Sequence, residues 1–347
     1  METILFLAHT ETDGLLAKAA LEALGAAKSL NASLTGSALI AGLIGENVQP
    51  AANQIASCGA TKFLGVTSPE FARSRYATDA AAVEALCKTA QATIVVAAAT
   101  SRFNRCLAGV AQRFGGRVDT HVTGVCVQGG KISANRWYYR QRMEAALTRT
   151  TRPWSVLVDP GSQAAWSCTP GSASVEPVPV NLPDACKRTT VVGVREPAGD
   201  AQTIRPEANL LFVTGAGWTK KQSDGQTHVP EAEKLILNFL NQTRASLGSS
   251  KSLVDQSGEG QAILSFLSHM NQIGQTGSTP RHQKGLSTCC HGEEPHTVGW
   301  RFINERRAIS LDPNCGWARG KADVLYVADA FQVMAKVNEL LAGQKSG

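Results

Sequence analysis

Two short apolar runs constrain the fold more than anything else in the chain: Thr3–His9 (TILFLAH) and Ala92–Ala99 (ATIVVAAA). Both are too short for a core helix and too apolar for a surface loop, so each is expected to be a buried strand. The chain between them alternates. Gly14–Ser29 (GLLAKAALEALGAAKS) sets Ala and Leu at helical spacing and should form an amphipathic helix. Leu34–Leu43 is a second apolar run, Pro50–Cys58 a helix, Lys62–Val66 a strand and Ala77–Ala92 a helix. Strands alternating with helices predict an α/β fold with a parallel sheet and right-handed crossovers.

After Ala99 a helix is expected over Leu107–Phe114. Hairpin-like strands come next: Val118–Val127, a Gly129-Gly130 turn, a strand from Lys131, then Ala145–Thr150 and Trp154–Val158. Pro160–Pro183 is rich in Ser, Gly and Pro without periodicity and reads as a surface or linker segment. A second α/β unit then begins with Asn209–Thr214 (NLLFVT), a buried strand ending in Gly215-Ala216-Gly217. Helices are expected over Glu231–Leu247, Gly260–Met270 and Ala330–Leu341, and strands over Arg307–Leu311 and Val324–Val327. At 347 residues the chain is long for one core, and two domains of about 150 residues are the natural division. The expected boundaries are an N-terminal parallel-sheet α/β domain over 1–190, a linker over 191–208, and a doubly wound, Rossmann-like domain over 209–347.

Charge and composition exclude some function classes. The net charge is only +6, and Lys and Arg are scattered apart from local groups such as Arg136–Arg142, so no nucleic-acid partner is expected. No run of about 18 apolar residues exists to enter a membrane. The start, METILFLAHTETDG, has early acidic residues and no basic leader pattern, which makes the cytoplasm the expected compartment. Cys58, Cys87, Cys106 and Cys126 sit singly in apolar surroundings and read as small, reduced, buried side chains. No nucleophile and base are paired in a catalytic pattern, so the chain is not read as a substrate-converting enzyme on its own.

One stretch carries unusual chemistry: Gly285–Pro313, GLSTCCHGEEPHTVGWRFINERRAISLDP. A strand, a glycine-bearing turn and a helix start suit a phosphate, because free N–H groups at a helix N-terminus attract anions. Here the turn also carries Cys289, Cys290, His291, Glu293, Glu294 and His296.

Taken in order, the segments of the second half resemble the alpha subunit of electron transfer flavoproteins. Leu210–Thr214 with its glycines is similar to the family's V-V-x-G-G-R-G, and Gly248-Ser249-Ser250-Lys251-Ser252-Leu253-Val254-Asp255 to its G-A-S-R-A-A-V-D. Gln272-Ile273-Gly274-Gln275-Thr276-Gly277 matches Q-V-G-Q-T-G. Leu311-Asp312-Pro313 and Ala322-Asp323 to Val327-Ala328-Asp329 match K-D-P and A-D…V-A-D. In the first half, Ala99-Thr100-Ser101, Arg105 and Leu107–Ala111 are similar to the family's A-T-T/S…R-x-L-x-x-R-V-A. The resemblance implies a two-domain α/β protein whose second domain holds FAD. It further implies pairing with a beta-type subunit and electron transfer from a flavin dehydrogenase to a quinone-linked or iron–sulfur acceptor.

The same resemblance implies site residues. Lys251 stands where the family has an arginine over the flavin ring, a cation that raises the flavin potential, and Ser250 beside it matches a FAD-contacting serine. Ile273, Gly274, Gln275 and Thr276 match the flavin-contacting loop. His291, Gly292 and His296 fall on the pyrophosphate segment, which reads H-G-E-E-P-H here where the family has S-G-A-I-Q-H. Ser310 replaces an asparagine, Gly217 an adenine-side arginine, and Asp329 closes the last motif. Two other readings use the departures. Glu293, Glu294, Pro295 and Gly217 fit a FAD-deficient structural or docking paralogue in a multisubunit redox complex. Cys289, Cys290 and Cys315 fit a carrier whose centre is an iron–sulfur cluster or another metal, although no CxxC is present.

Overall fold

The computed structural model describes residues 1–139, 143–193, 204–205, 208–255, 263–273, 282–288 and 303–344. They divide into two units, Met1–Arg195 and Glu196–Gly347.

In the first unit, β1 (Thr3–His9), β2 (Ala38–Gly45), β3 (Lys62–Thr67), β4 (Ile94–Ala98), β5 (Arg117–Gln128), β6 (Lys131–Tyr138), β7 (Met143–Leu147), β8 (Trp154–Val158) and β9 (Val175–Pro177) form one sheet. Its order is β7-β6-β5-β8-β4-β1-β2-β3-β9. From β5 to β9 all neighbours run parallel. The β5–β6 and β6–β7 pairs are antiparallel, so the sheet is mixed rather than purely parallel. Gly129 and Gly130 make the reversal possible with φ of 55° and 75°, which L side chains rarely adopt.

Side chains of β1 alternate between two cores. Ile4, Phe6 and Ala8 pack with α1 (Lys18–Ser33) and α2 (Gln49–Gln54), while Leu5 and Leu7 pack with α3 (Tyr76–Ala90) and α4 (Ser101–Arg113). Burying each such large side chain contributes about 1.5–3 kcal/mol. The sheet is therefore doubly wound, with the strand order reversing direction between β1 and β4. Helix α1 begins at Lys18 rather than Gly14 because Gly14, at φ 79°, closes a turn in which its N–H donates to Glu11 O at 3.0 Å. Helix α4 begins six residues before the expected Leu107, since Thr100 Oγ1 accepts from Phe103 N at 3.3 Å and caps it. The 160–183 segment is not structureless. Val175–Pro177 adds a parallel strand to β3, and Trp166 N and Gly171 N donate to Leu21 O and Asn53 O at 3.0 and 2.9 Å.

In the second unit, β10 (Leu210–Thr214), β11 (Ser246–Ser249), β12 (His282–Thr288), β13 (Ile303–Ser310) and β14 (Val324–Val327) form an all-parallel sheet in the order β11-β10-β12-β13-β14. On one face Phe212, Leu247 and Ile309 pack with Ile236, Phe239 and Leu240 of α5 (Val229–Thr243) and Met334 of α8 (Ala330–Gln344). On the other, Leu211, Val213, Ile303 and Ala308 meet Ile273, Cys315 and Ala318. Two short helices, α6 (Lys251–Asp255) and α7 (Gly316–Lys321), follow β11 and β13.

Three expectations need correction here. Helix α5 stops at Thr243, not Leu247, because Arg244 turns left-handed at φ 56° and Ser246–Ser249 becomes a strand. Residues 263–268 are not helical, and only His269–Asn271 makes a short 3₁₀ turn. Ser268 Oγ accepts from Met270 N at 3.2 Å and Asn271 Oδ1 from Ser268 N at 3.0 Å, local bonds that compete with helix formation. Strand β13 starts at Ile303, four residues earlier than Arg307.

At the β1/β4 reversal of the first unit, Arg102 Nη2 bonds Asp79 Oδ1 at 2.6 Å and Phe71 O at 2.8 Å, with both side chains buried. His9 lies tilted on Phe103 with ring centroids 5.3 Å apart. Burial, reinforced by the Arg102 charge, lowers the His9 pKa to about 4. In the unfolded chain this ring titrates near the ordinary value of about 6.5. Over that window the unfolded chain binds more protons, so acidification favours unfolding. Wild type should lose about 3 kcal/mol more stability than His9→Phe between pH 7 and pH 4, measured by urea denaturation at each pH.

Candidate functional site

Parallel pairing brings the ends of the second sheet level. Thr214 is in register with Ser249 and Thr288, Thr288 with Ile309, and Ser310 with Val327. Ligands of doubly wound sheets gather outside this carboxyl edge, at the point where strand order reverses. That point lies between β10 and β12.

The edge is lined with hydroxyls. Thr214, Ser249, Ser250, Ser287, Thr288 and Ser310 are all fully buried. Thr288 ties the reversal together: its Oγ1 donates to Val213 O at 2.9 Å and accepts from Trp218 Nε1 at 2.7 Å, while its carbonyl accepts from Gly215 N at 3.2 Å. Trp218 is buried under the edge and lies tilted against Phe331 with ring centroids 4.6 Å apart. On the other side Thr214 Oγ1 donates to Gly248 O at 3.2 Å and Thr214 O accepts from Ser250 N at 2.8 Å.

The sequence-derived residues fall into place as follows. Ser250 follows β11, and its Oγ accepts from Leu253 N at 3.3 Å, capping α6. Lys251 projects to solvent and pairs with Asp255 at 2.5 Å, and that partner holds the ammonium pKa above its usual value. Asp255 also faces His269 Nδ1 at 3.7 Å. Ile273 is fully buried and its N–H donates to Ser249 O at 3.2 Å, so the segment before Gly274 runs along β11. Ser310 ends β13, where its Oγ accepts from Asp312 N at 3.2 Å and its carbonyl from Ala328 N at 3.1 Å. Asp329 Oδ1 accepts from Gln332 N at 3.0 Å at the start of α8. Ser250, Lys251, Ile273, Ser310 and Asp329 therefore share the carboxyl side of one sheet. Gly217 lies buried in the turn after β10. Gly274, Gln275, Thr276, Cys289, Cys290, His291, Gly292, Glu293, Glu294, Pro295 and His296 lie outside the described residues.

Cys315 is packed among Leu211, Val213, Ile273, Ile303, Ala308 and Ala318 as an apolar side chain. Among the described residues no group of three or more His, Cys, Asp and Glu is arranged to hold a metal. The described part of the chain thus lends the metal-centre reading no support. In the first unit burial pushes the Cys87 and Cys106 thiols up to about 12, which makes them inert apolar fillers.

Some residues of the edge escaped the motif reading. Trp218 and Thr288 stitch the reversal, yet each sits beside a motif glycine or cysteine rather than in a motif of its own. Gln272, at the head of a motif but without a role read for it, and Ser287 are more informative. Among the described residues Gln272 Oε1 and Ser287 Oγ are buried without a hydrogen-bond partner, whereas buried polar atoms ordinarily have one. Unmatched acceptors and donors beside a hydroxyl-rich edge suit a cofactor bearing carbonyls, hydroxyls and phosphates, so the described residues fit FAD chemically.

The architecture defines a class first: two doubly wound α/β units, the second with a cofactor-type carboxyl edge. The family model for the electron transfer flavoprotein domain matches residues 4–185. The chain is also similar to the electron transfer flavoprotein subunit alpha of Bacillus subtilis (strain 168), 24% identical over 330 residues that make up 94% of each chain. The chain belongs to the electron transfer flavoprotein family.

Close packing under the edge rests on Gly248. A Cβ there would lie 2.6 Å from Ile273 Cγ2 and 3.2 Å from Leu211 Cδ1. Gly248→Val should therefore cost about 1–3 kcal/mol of stability. Gly193→Ala, where an added Cβ meets nothing within 4 Å, should stay within about 0.5 kcal/mol of wild type in the same urea titration.

Proposed function

We propose that this chain is an electron transfer flavoprotein alpha-type subunit. Its second unit holds FAD at the carboxyl edge of the β11-β10-β12-β13-β14 sheet, and its first unit packs against a beta-type subunit. Electrons are taken from a flavin dehydrogenase and delivered to a quinone-linked or iron–sulfur acceptor. The cytoplasm, where thiols stay reduced, is the proposed compartment.

The observation that carries this reading is the gathering of Ser250, Lys251, Ser310 and Asp329 at one edge together with the unmatched Gln272 Oε1 and Ser287 Oγ. FAD, when bound, supplies one-electron exchange. The protein's part is to hold and tune it. Ser250 offers a hydroxyl fixed by its bond to Leu253 N. Lys251, kept protonated by Asp255, offers a positive charge that favours electron density on a ring beside it. Trp218 and Thr288 close the reversal from below and keep water out of the sheet. Among the described residues no helix is long and apolar enough to cross a membrane, in keeping with a carrier that meets its partners by diffusion.

Co-expression with a beta-type subunit tests the reading. The purified heterodimer should carry FAD visible in its absorption spectrum. Lys251→Ala should weaken FAD retention about tenfold, the size of one lost charge-assisted bond, and lower the flavin potential, whereas Lys251→Arg should restore both. A colourless heterodimer that still supports electron transfer would favour the FAD-deficient docking paralogue instead.

A further inference from the structure

We propose that Gln272 and Ser287 are two further cofactor-holding residues of the second unit, placed on opposite faces of its sheet so that one elongated ligand crosses the carboxyl edge to meet both. This deepens the FAD reading above, on which it rests. Ser287 is 0% and Gln272 6% exposed. Among the described residues neither Ser287 Oγ nor Gln272 Oε1 has a hydrogen-bond partner, and a buried polar atom left unmatched destabilises the fold that contains it. Gln242 Oε1 and Asn338 Oδ1 are also unmatched, but their amides donate to Asn238 Oδ1 at 3.0 Å and to Leu235 O at 2.9 Å. Those two lie on α5 and α8 and not at a strand end. The hydroxyl of Ser287 has no such compensation.

Strand register places the two side chains. Ser287 is level with Val213 of β10 and Ala308 of β13. Level residues of parallel neighbours share a face, so its hydroxyl lies on the side where Val213 and Ala308 pack with Ile273 and Cys315. Gln272 forms a parallel bridge with Ser249, the last residue of β11. Ser249 is level with Thr214, one residue beyond Val213. Ser249 and Gln272 therefore face the other side, where Phe212 and Leu247 pack with α5 and α8.

Chemistry and reach select the ligand. Gln272 Oε1 only accepts, so it takes an N–H or O–H donor and not a phosphate or carbonyl oxygen. FAD offers such donors in its ring N–H, its sugar and ribityl hydroxyls and its adenine amino group. Ser287 Oγ both donates and accepts, so it also suits a phosphate or carbonyl oxygen. Going from Gln272 to Ser287 crosses β11 and β10 to reach β12. Neighbouring strands lie about 4.8 Å apart, so the two residues are separated by about 14 Å across the edge. A small anion is too short to span that, whereas a dinucleotide is long enough and carries both kinds of group.

The test uses the full chain with its beta-type subunit, stripped of flavin, titrated with FAD by flavin fluorescence and unfolded in urea before FAD is added. Ser287→Ala and Gln272→Met should each raise the FAD dissociation constant about fivefold, the size of one lost hydrogen bond. Their urea midpoints should stay at or above that of wild type, because each change removes an unmatched buried atom. Gln242→Met, near the end of α5 that leads into the start of β11 and so at the opposite edge of the sheet, should leave the dissociation constant unchanged. The proposal is overturned if both edge variants bind FAD as wild type does, or if their urea midpoints fall along with affinity, which would make the two residues structural. A wild-type heterodimer that takes up no FAD would overturn the function reading itself, and the proposal with it.

Discussion

Thr288 is the point on which the second unit depends. It closes β12 where the strand order reverses, and its side chain and carbonyl join Val213, Gly215 and Trp218 in one hydrogen-bonded knot. A parallel sheet in register can present a level carboxyl edge only if its central strands end together, and this knot fixes where β10 and β12 end. The pairings Thr214 with Ser249 and Ser310 with Val327 extend the same level outward. The hydroxyls of the edge are therefore held by backbone pairing and not by flexible side-chain reach, which is the precondition for a preorganised cofactor site.

The first unit solves a similar problem differently. Its strand order also reverses, between β1 and β4, but that crevice is filled by the buried Arg102–Asp79 pair and the His9–Phe103 contact. Breaking such a pair by removing one partner leaves an unmatched buried charge and costs about 3–5 kcal/mol. The reversal point of the first unit is thus committed to stability. Its open polar space lies one strand over, beside β2, where Gly45 makes room for Thr10. The two units share a winding pattern and differ in what their carboxyl edges are free to bind.

Much of this was legible in the residues. Trp154–Val158 and Val324–Val327 are apolar enough to mark strands at the boundaries they adopt. What misled was local chemistry that carries no hydrophobic period. Ser246–Ser249 is a buried strand at the end of the sheet order, written mostly in serine and glycine, so it read as the tail of α5. The end of that helix is set by a left-handed arginine, Arg244, with no glycine or proline to announce it. Residues 263–268 have the apolar content of a helix, but Ser268 and Asn271 satisfy each other's backbone and close a tight turn instead. For the carboxyl edge, ordered motifs pointed to Ser250, Ser310 and Asp329, which lie along it. They could not find Trp218 or Thr288, whose role exists only once β10 and β12 lie side by side.

The central claim is that the carboxyl edge of the second sheet holds the flavin. Amide hydrogen exchange of the heterodimer, with and without FAD, tests it most directly. The account predicts added protection in 249–255, 271–273, 286–288 and 309–312 on FAD binding, and none at the opposite end of the same strands around 282–284. Protection confined to the first unit, or spread evenly along the strands, would contradict it.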